Sequence, residues 1–249
     1  MKRRILSLAI AAALIPVALP AAAGPLSGIA KQWTFSHNLV GGQTSEIVSF
    51  DSSTNSLWVA GIAGVDVLNA ASGSLIQHID TTAFGSINSV AIHNGLAAFA
   101  IESVVRTDPG VVKFYDTGTR ALASGVNSIT VGALPDMLTF TPNGGKLLVA
   151  NEGTPAVYGT RIGTTVPRNY GPAANDPAGS VSIIDMATRS VAATATLAGV
   201  ATSGANIRSN TGMDYEPEYI TVNAVGTKAF VTLQEANAVG VLDLGSNSF

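Results

Sequence analysis

The chain has 249 residues, 47% of them hydrophobic and 12% charged, with a formal net charge of −3. That balance supports a buried core and excludes a disordered polar tail. The absence of Cys excludes a disulfide framework, a thiolate metal site and a cysteine nucleophile. Beyond the first four residues no Lys/Arg cluster occurs, so the electrostatic footprint of a nucleic-acid binder is missing.

The N-terminus reads as an export signal over residues 1–23. Lys2-Arg3-Arg4 is a positive start, Ile5 to Leu19 is an uncharged apolar run, and Ala21-Ala22-Ala23 offers the small residues of a cleavage site before Gly24. The run is short for a membrane anchor, and Pro16 and Pro20 interrupt it. Removing it leaves ten basic against sixteen acidic residues, a net charge of −6. The mature chain is therefore expected to be exported (periplasmic, extracellular or on the cell surface), mildly acidic and without a membrane span.

From here strands are expected in groups of four, labelled a to d. Residues 24–44, with Trp33 and Phe35, form an N-terminal segment and a candidate outer strand for a closing partner. The first hairpin runs Ile47-Val-Ser-Phe50 and Leu57-Trp-Val-Ala60 across a polar turn, followed by Val65-Asp-Val-Leu-Asn69. The second pairs Ser89-Val-Ala-Ile92 with Leu96-Ala-Ala-Phe-Ala100 across His93-Asn94-Gly95, a strong hairpin signal. Val112-Lys-Phe-Tyr-Asp116 follows, with Thr-Gly-Thr-Arg-Ala-Leu122 as its turn and return. The third pairs Met137-Leu-Thr-Phe140 with Leu147-Leu-Val-Ala150, followed by Val181-Ser-Ile-Ile-Asp185 and Met-Ala-Thr-Arg-Ser-Val191. The fourth pairs Tyr219-Ile-Thr-Val222 with Ala229-Phe-Val-Thr232, followed by Val239-Gly-Val-Leu-Asp243.

An ordered quartet of short antiparallel strands is one blade of a β-propeller. A β-sandwich is the alternative, but its strands would not recur in this order. The expected fold is thus all-β: a β-propeller of four-stranded antiparallel blades, about four of them over residues 45–249. The last outer strand only starts at Phe249, so an incomplete ring is expected. Asp116, Asp185 and Asp243 each open a c–d turn, where an Asp side chain caps the amides that follow.

Several long segments resemble the choice-of-anchor I family of exported bacterial proteins. They are Leu134-Pro-Asp-Met-Leu-Thr-Phe-Thr-Pro-Asn-Gly-Gly-Lys-Leu-Leu-Val-Ala-Asn-Glu-Gly153, Asp108-Pro-Gly-Val-Val-Lys-Phe-Tyr-Asp116, Gly179-Ser-Val-Ser-Ile-Ile-Asp185, Asp214-Tyr-Glu-Pro-Glu-Tyr-Ile-Thr-Val222 and Val231-Thr-Leu-Gln-Glu-Ala-Asn-Ala-Val239. The resemblance covers about residues 45–249. It implies a YVTN-like propeller at the cell surface, similar to mesenchyme-specific cell-surface glycoproteins.

Signatures of catalysis are missing: no H-E-x-x-H, G-x-S-x-G, P-loop or G-x-G-x-x-G. His37, His78 and His93 read as surface residues. In a propeller blade the b–c and d–a connections emerge at one end. Glu102, Glu152 and Glu235 follow a strand b, whereas Asp136, Glu216 and Glu218 precede a strand a. Six carboxylates are therefore expected to converge at that end. The two long connections, 153–178 and 198–214, belong there too. With Asn151 and Asn237 as binding residues, the six acids form a hard-oxygen candidate metal set suited to Ca²⁺. The leading expectation is a non-enzymatic scaffold presenting this acidic face to an exported ligand, matrix component or protein. The alternative is a Ca²⁺-dependent, alkaline-phosphatase-like phosphoesterase, for which Arg106, Arg161, Arg168 and Arg208 would be the few phosphate-facing cations.

Overall fold

A computed structural model describes residue 28 and residues 30–38, 40–155, 177–207 and 215–249. The expected export signal, most of the 153–178 connection, part of 198–214, and Arg161, Arg168 and Arg208 lie outside the described residues. The chain divides into two units, Met1–Gln32 and Trp33–Phe249. All secondary structure among the described residues belongs to the second, and none of it is helical. Among them, accordingly, no helix is long and apolar enough to cross a membrane.

Fifteen strands form four antiparallel sheets in chain order. The first holds β1 (Ile47–Asp51), β2 (Ser56–Gly61), β3 (Gly64–Asn69) and β4 (Leu75–Asp80). The second holds β5 (Ile87–His93), β6 (Leu96–Ile101), β7 (Pro109–Asp116) and β8 (Ser128–Ala133). The third holds β9 (Pro135–Phe140), β10 (Lys146–Asn151), β11 (Ser180–Asp185) and β12 (Ser190–Thr196). The fourth has three strands, β13 (Pro217–Val222), β14 (Lys228–Leu233) and β15 (Ala238–Asp243).

Local sequence sets these pairings. At the β5–β6 hairpin, His93 pairs with Leu96, leaving a two-residue loop with Asn94 at φ 46° and Gly95 at φ 77°. Both residues are left-handed, as a turn matching strand twist requires. The turns after the third strands are held by a side-chain carbonyl or carboxylate. Asn69 Oδ1 accepts from the amides of Ala71 and Ser72, both at 3.0 Å. Asp116 accepts from Thr119 at 2.7 Å, Asp185 from Thr188 at 2.9 Å, and Asp243 from Ser246 at 2.9 Å. The capping role expected of the three aspartates holds, and Asn69 shares it.

The return after Asp116 differs from expectation. Leu122 makes only an isolated bridge to Tyr115, and the paired strand begins at Ser128, opposite Lys113. The described residues of 24–44 form no strand. From Trp33 onward this segment lies along the first sheet through side chains: Trp33 Nε1 donates to the Ala70 carbonyl (3.2 Å), and Gln43 both donates to Gly64 O and accepts from Ala63 N.

Three cores separate the four sheets. Trp58, Phe99 and Tyr115 fill the first, with Phe99 and Tyr115 stacked at 4.4 Å. Phe114, Leu138, Leu147 and Ile184 fill the second, and Leu148, Ile183, Val231 and Leu242 the third. The second strands of the middle sheets, β6 and β10, are covered on both faces, which explains continuous apolar runs such as Leu96-Ala-Ala-Phe-Ala-Ile101. In the last sheet, by contrast, β14 alternates exposed and buried residues along its whole length. The first strands, β1, β5, β9 and β13, contribute side chains around one cavity of about 310 Å³.

Candidate functional site

The acidic end is built from the start of the innermost strands and the residues just beyond the second strands. The entry to β9 is one residue long: Leu134, buried and left-handed at φ 47°, joins Ala133 of β8 to Pro135 of β9. Its carbonyl accepts from the Glu152 amide at 2.8 Å. This bond holds the residues after β10 beside the start of β9, where Asp136 sits. The fourth sheet repeats the device: Glu216, left-handed at φ 38°, precedes Pro217, and Glu218 follows. Asp136 and Glu218 are therefore equivalent and lie inside their strands rather than in the loops before them.

These groups feel one another. Asp136 is pushed up to about 7, first by burial and then by Glu152, Glu46, Glu218 and Glu102. Burial also raises Glu152, to which Glu235 adds and Arg106 is opposed. It raises Glu218 as well, with Glu152 and Glu235 adding to it. Glu102 is raised by burial, against Arg106 and with Glu152 and Glu46. The Gln234 amide lies against the Glu218 carboxylate and donates to it. All four sheets thus supply acids to one electrostatic neighbourhood. Asp136 reports a contribution from every sheet.

Five of the six sequence-predicted acids belong to this neighbourhood: Glu102, Asp136, Glu152, Glu218 and Glu235. Glu216 is the counterpart of Leu134, 3% exposed, in the left-handed turn before Pro217. Glu46 was missed, although its position just before β1 follows the same rule as the others. Asn151 is tied into the third sheet. It is fully buried, donates to Ser180 Oγ (3.1 Å) and Ser182 Oγ (2.9 Å), and accepts from Gly132 N at 3.1 Å. Its amide stitches β8, β10 and β11 together. Asn237, exposed and left-handed at φ 52°, donates to the Asn206 carbonyl at 3.2 Å. Among the described residues, no three His, Cys, Asp or Glu side chains converge closely enough to hold a metal ion.

The histidines need a correction too. His37 Nδ1 and His78 Nδ1 each lie 2.6 Å from a different oxygen of Asp66, with both imidazoles only 15% exposed. They are half-buried partners of one carboxylate, not surface residues. Asp66 itself was overlooked; a lone acid inside the apolar run Val65–Leu68 was the available signal.

Antiparallel sheets of neighbouring strands, packed face to face in chain order with their first strands around one cavity, define a β-propeller-like protein. Residues 46–249 match the model of the Choice-of-anchor I domain. The chain belongs to the choice-of-anchor I family, which makes it an exported or cell-surface protein. No curated protein matches it in sequence. Among solved structures it is similar to a protein of unknown function from Bacteroides caccae, with 14% identity and a TM-score of 0.51 over 84% of this chain and 60% of that one. It also matches hydrazine synthase of Kuenenia stuttgartiensis at 14% identity, over 82% of this chain and 66% of that one, with a TM-score of 0.48. The chain spans about two thirds or less of the length of both.

Proposed function

We propose that this chain is a non-enzymatic propeller scaffold of four blades in an open ring, and that its acidic end binds cationic groups of an exported or surface ligand. The observation that carries this reading is the raised position of Asp136 near 7, together with the carboxylates from all four sheets that raise it. Like charges gathered at the cost of stability, with the exposed Arg106 as a cationic neighbour among the described residues, favour an incoming cation that relieves the repulsion. The phosphoesterase alternative would need cations aimed at the phosphate, and of its four candidate arginines Arg106 alone lies among the described residues.

Thermal unfolding tests the reading. The chain from Gly24 is melted alone and with Ca²⁺, Mg²⁺, EDTA or an oligolysine peptide, and the series is repeated with Glu152→Gln and Glu218→Gln. Expected is a rise in Tm with a cationic additive, lost in both variants. No rise with any additive, or a rise that survives both substitutions, overturns the assignment.

A further inference from the structure

One residue at the start of each innermost strand occupies an equivalent place. Ile47, Ser89 and Met137 pair with Ala60, Ala100 and Ala150 of the second strands, so the residues before them, Glu46, Asn88 and Asp136, correspond. Glu218 follows Pro217 as Asp136 follows Pro135, and is the fourth member. Asn88, Asp136 and Glu218 fall where the register with the second strand slips, and a bulge there re-aims a side chain. Asn88 Nδ2 donates to the Pro135 carbonyl at 3.2 Å, which ties the second member of the set to the third. Asp136 in turn feels both Glu46 and Glu218.

These four residues mark the mouth of the cavity between the first strands. Ile47, Ser89, Met137 and Tyr219, the residues that follow them, all line that cavity of about 310 Å³. Its volume is at the small end of the range for ligand pockets. Ser89 adds an observation independent of the acids. It is fully buried, and its hydroxyl oxygen has no hydrogen-bond partner. Leaving a buried hydroxyl unpaired costs free energy. This one belongs to the cavity wall, one residue inside the mouth, where a donor entering from the acidic end would satisfy it.

We propose that this mouth seats one primary ammonium group, the head of a lysine side chain of the ligand, with Asp136 and Ser89 Oγ as its innermost acceptors. The inference rests on the cation-binding reading above and narrows it to a single chemical group at a single place. Glu46 and Glu218 stand nearer solvent, where the stem leaves the cavity. An ammonium carries three rotatable donors on a slim, flexible stem and can serve acceptors on different strands. A guanidinium, by contrast, is a planar fork suited to one carboxylate. Among the described residues no three of the acids converge closely enough for a metal ion, whereas an ammonium reaches spread acceptors through separate N–H bonds.

The probes are two fluorescein-labelled tetrapeptides, one of lysine and one of Nε-trimethyllysine, followed by anisotropy against the chain from Gly24. Both carry the same charge, but the trimethylated head groups have no N–H to donate. Diffuse attraction to the acidic end treats the two alike, whereas a seat built on charge-assisted hydrogen bonds does not. The lysine peptide is expected to bind about tenfold more tightly. Ser89→Ala leaves every charge in place and should erase most of that preference, as should Asp136→Asn. The first comparison needs no substitution, so a folding defect in either variant does not affect it. Saturable binding of both peptides with equal affinity overturns the ammonium seat and leaves the cation-binding reading standing. No saturable binding of either overturns both. A full preference that survives Ser89→Ala also overturns the seat, because its buried acceptor would then have no part in it.

Discussion

Replacing Asp136 by Asn should stabilise the protein above neutral pH and leave it nearly unchanged in acid. The carboxyl titrates near 7 in the fold against 3.8 in its ordinary environment. Because the folded value is the higher, the folded state holds the proton more tightly, and stability falls as pH rises from about 4 to about 7. At about 1.4 kcal/mol for each tenfold change in proton affinity, the ionised group costs at most about 4 kcal/mol above pH 7. Asn keeps the shape and removes the charge, although its buried amide still loses hydration. A net gain of about 2 kcal/mol is expected at pH 8.5, shrinking to almost nothing at pH 4. Urea unfolding of both proteins at pH 4, 5.5, 7 and 8.5 measures it, with a constant m-value required for the comparison. Equal stability at pH 8.5, or an Asn variant that follows the same pH dependence as the parent, would refute the electrostatic argument.

Other substitutions test the remaining contacts. Asp66→Ala removes the carboxylate shared by His37 and His78 and should cost about 2 kcal/mol in urea unfolding. It should also speed proteolytic cleavage within residues 33–44, which His37 helps to hold. Gly132→Ala places a Cβ about 2.6 Å from Asn151 Cγ; displacing that amide should lower stability by about 1–3 kcal/mol. Trp58→Ala empties the centre of the first core, where the indole is fully buried beside Phe99, and should cost about 3–5 kcal/mol.

Pattern and turn chemistry made the strands legible from sequence. The hairpin at Asn94-Gly95 and the Asp-initiated turns at 116, 185 and 243 depend on neighbours a few residues away, and each formed as read. The return to Ser128 was harder. Its position is set by pairing with Lys113 of β7 and not by the turn residues that follow Asp116. The acidic end was legible as topology, because strand order alone assigns connections to one end. Individual roles were not. Glu216 and Glu218 are two residues apart, and the local sequence does not reveal that Glu216 takes the left-handed turn before Pro217 while Glu218 lies within β13. Nothing in the local sequence of Asn151 reveals that Ser180, Ser182 and Gly132 surround it. Asp66 and His37 are 29 residues apart, and no periodicity connects them.

The two ends of the sheets respond to pH in opposite senses. Asp116, Asp185 and Asp243 are held below the usual carboxylate value by backbone donors in their own turns. Their folded values are the lower, so the stability they give is present at neutral pH and lost as pH falls through them. Glu102, Asp136, Glu152 and Glu218 are held above it, and weaken the fold as pH rises. Stability should therefore peak in mildly acidic solution. On the proposed function, a cation that meets these four carboxylates at one end would move the stability maximum toward neutral pH when bound. That displacement, read from Tm profiles with and without oligolysine, is the outcome expected if the acidic end is the binding face; profiles that superimpose would assign the carboxylates no such role.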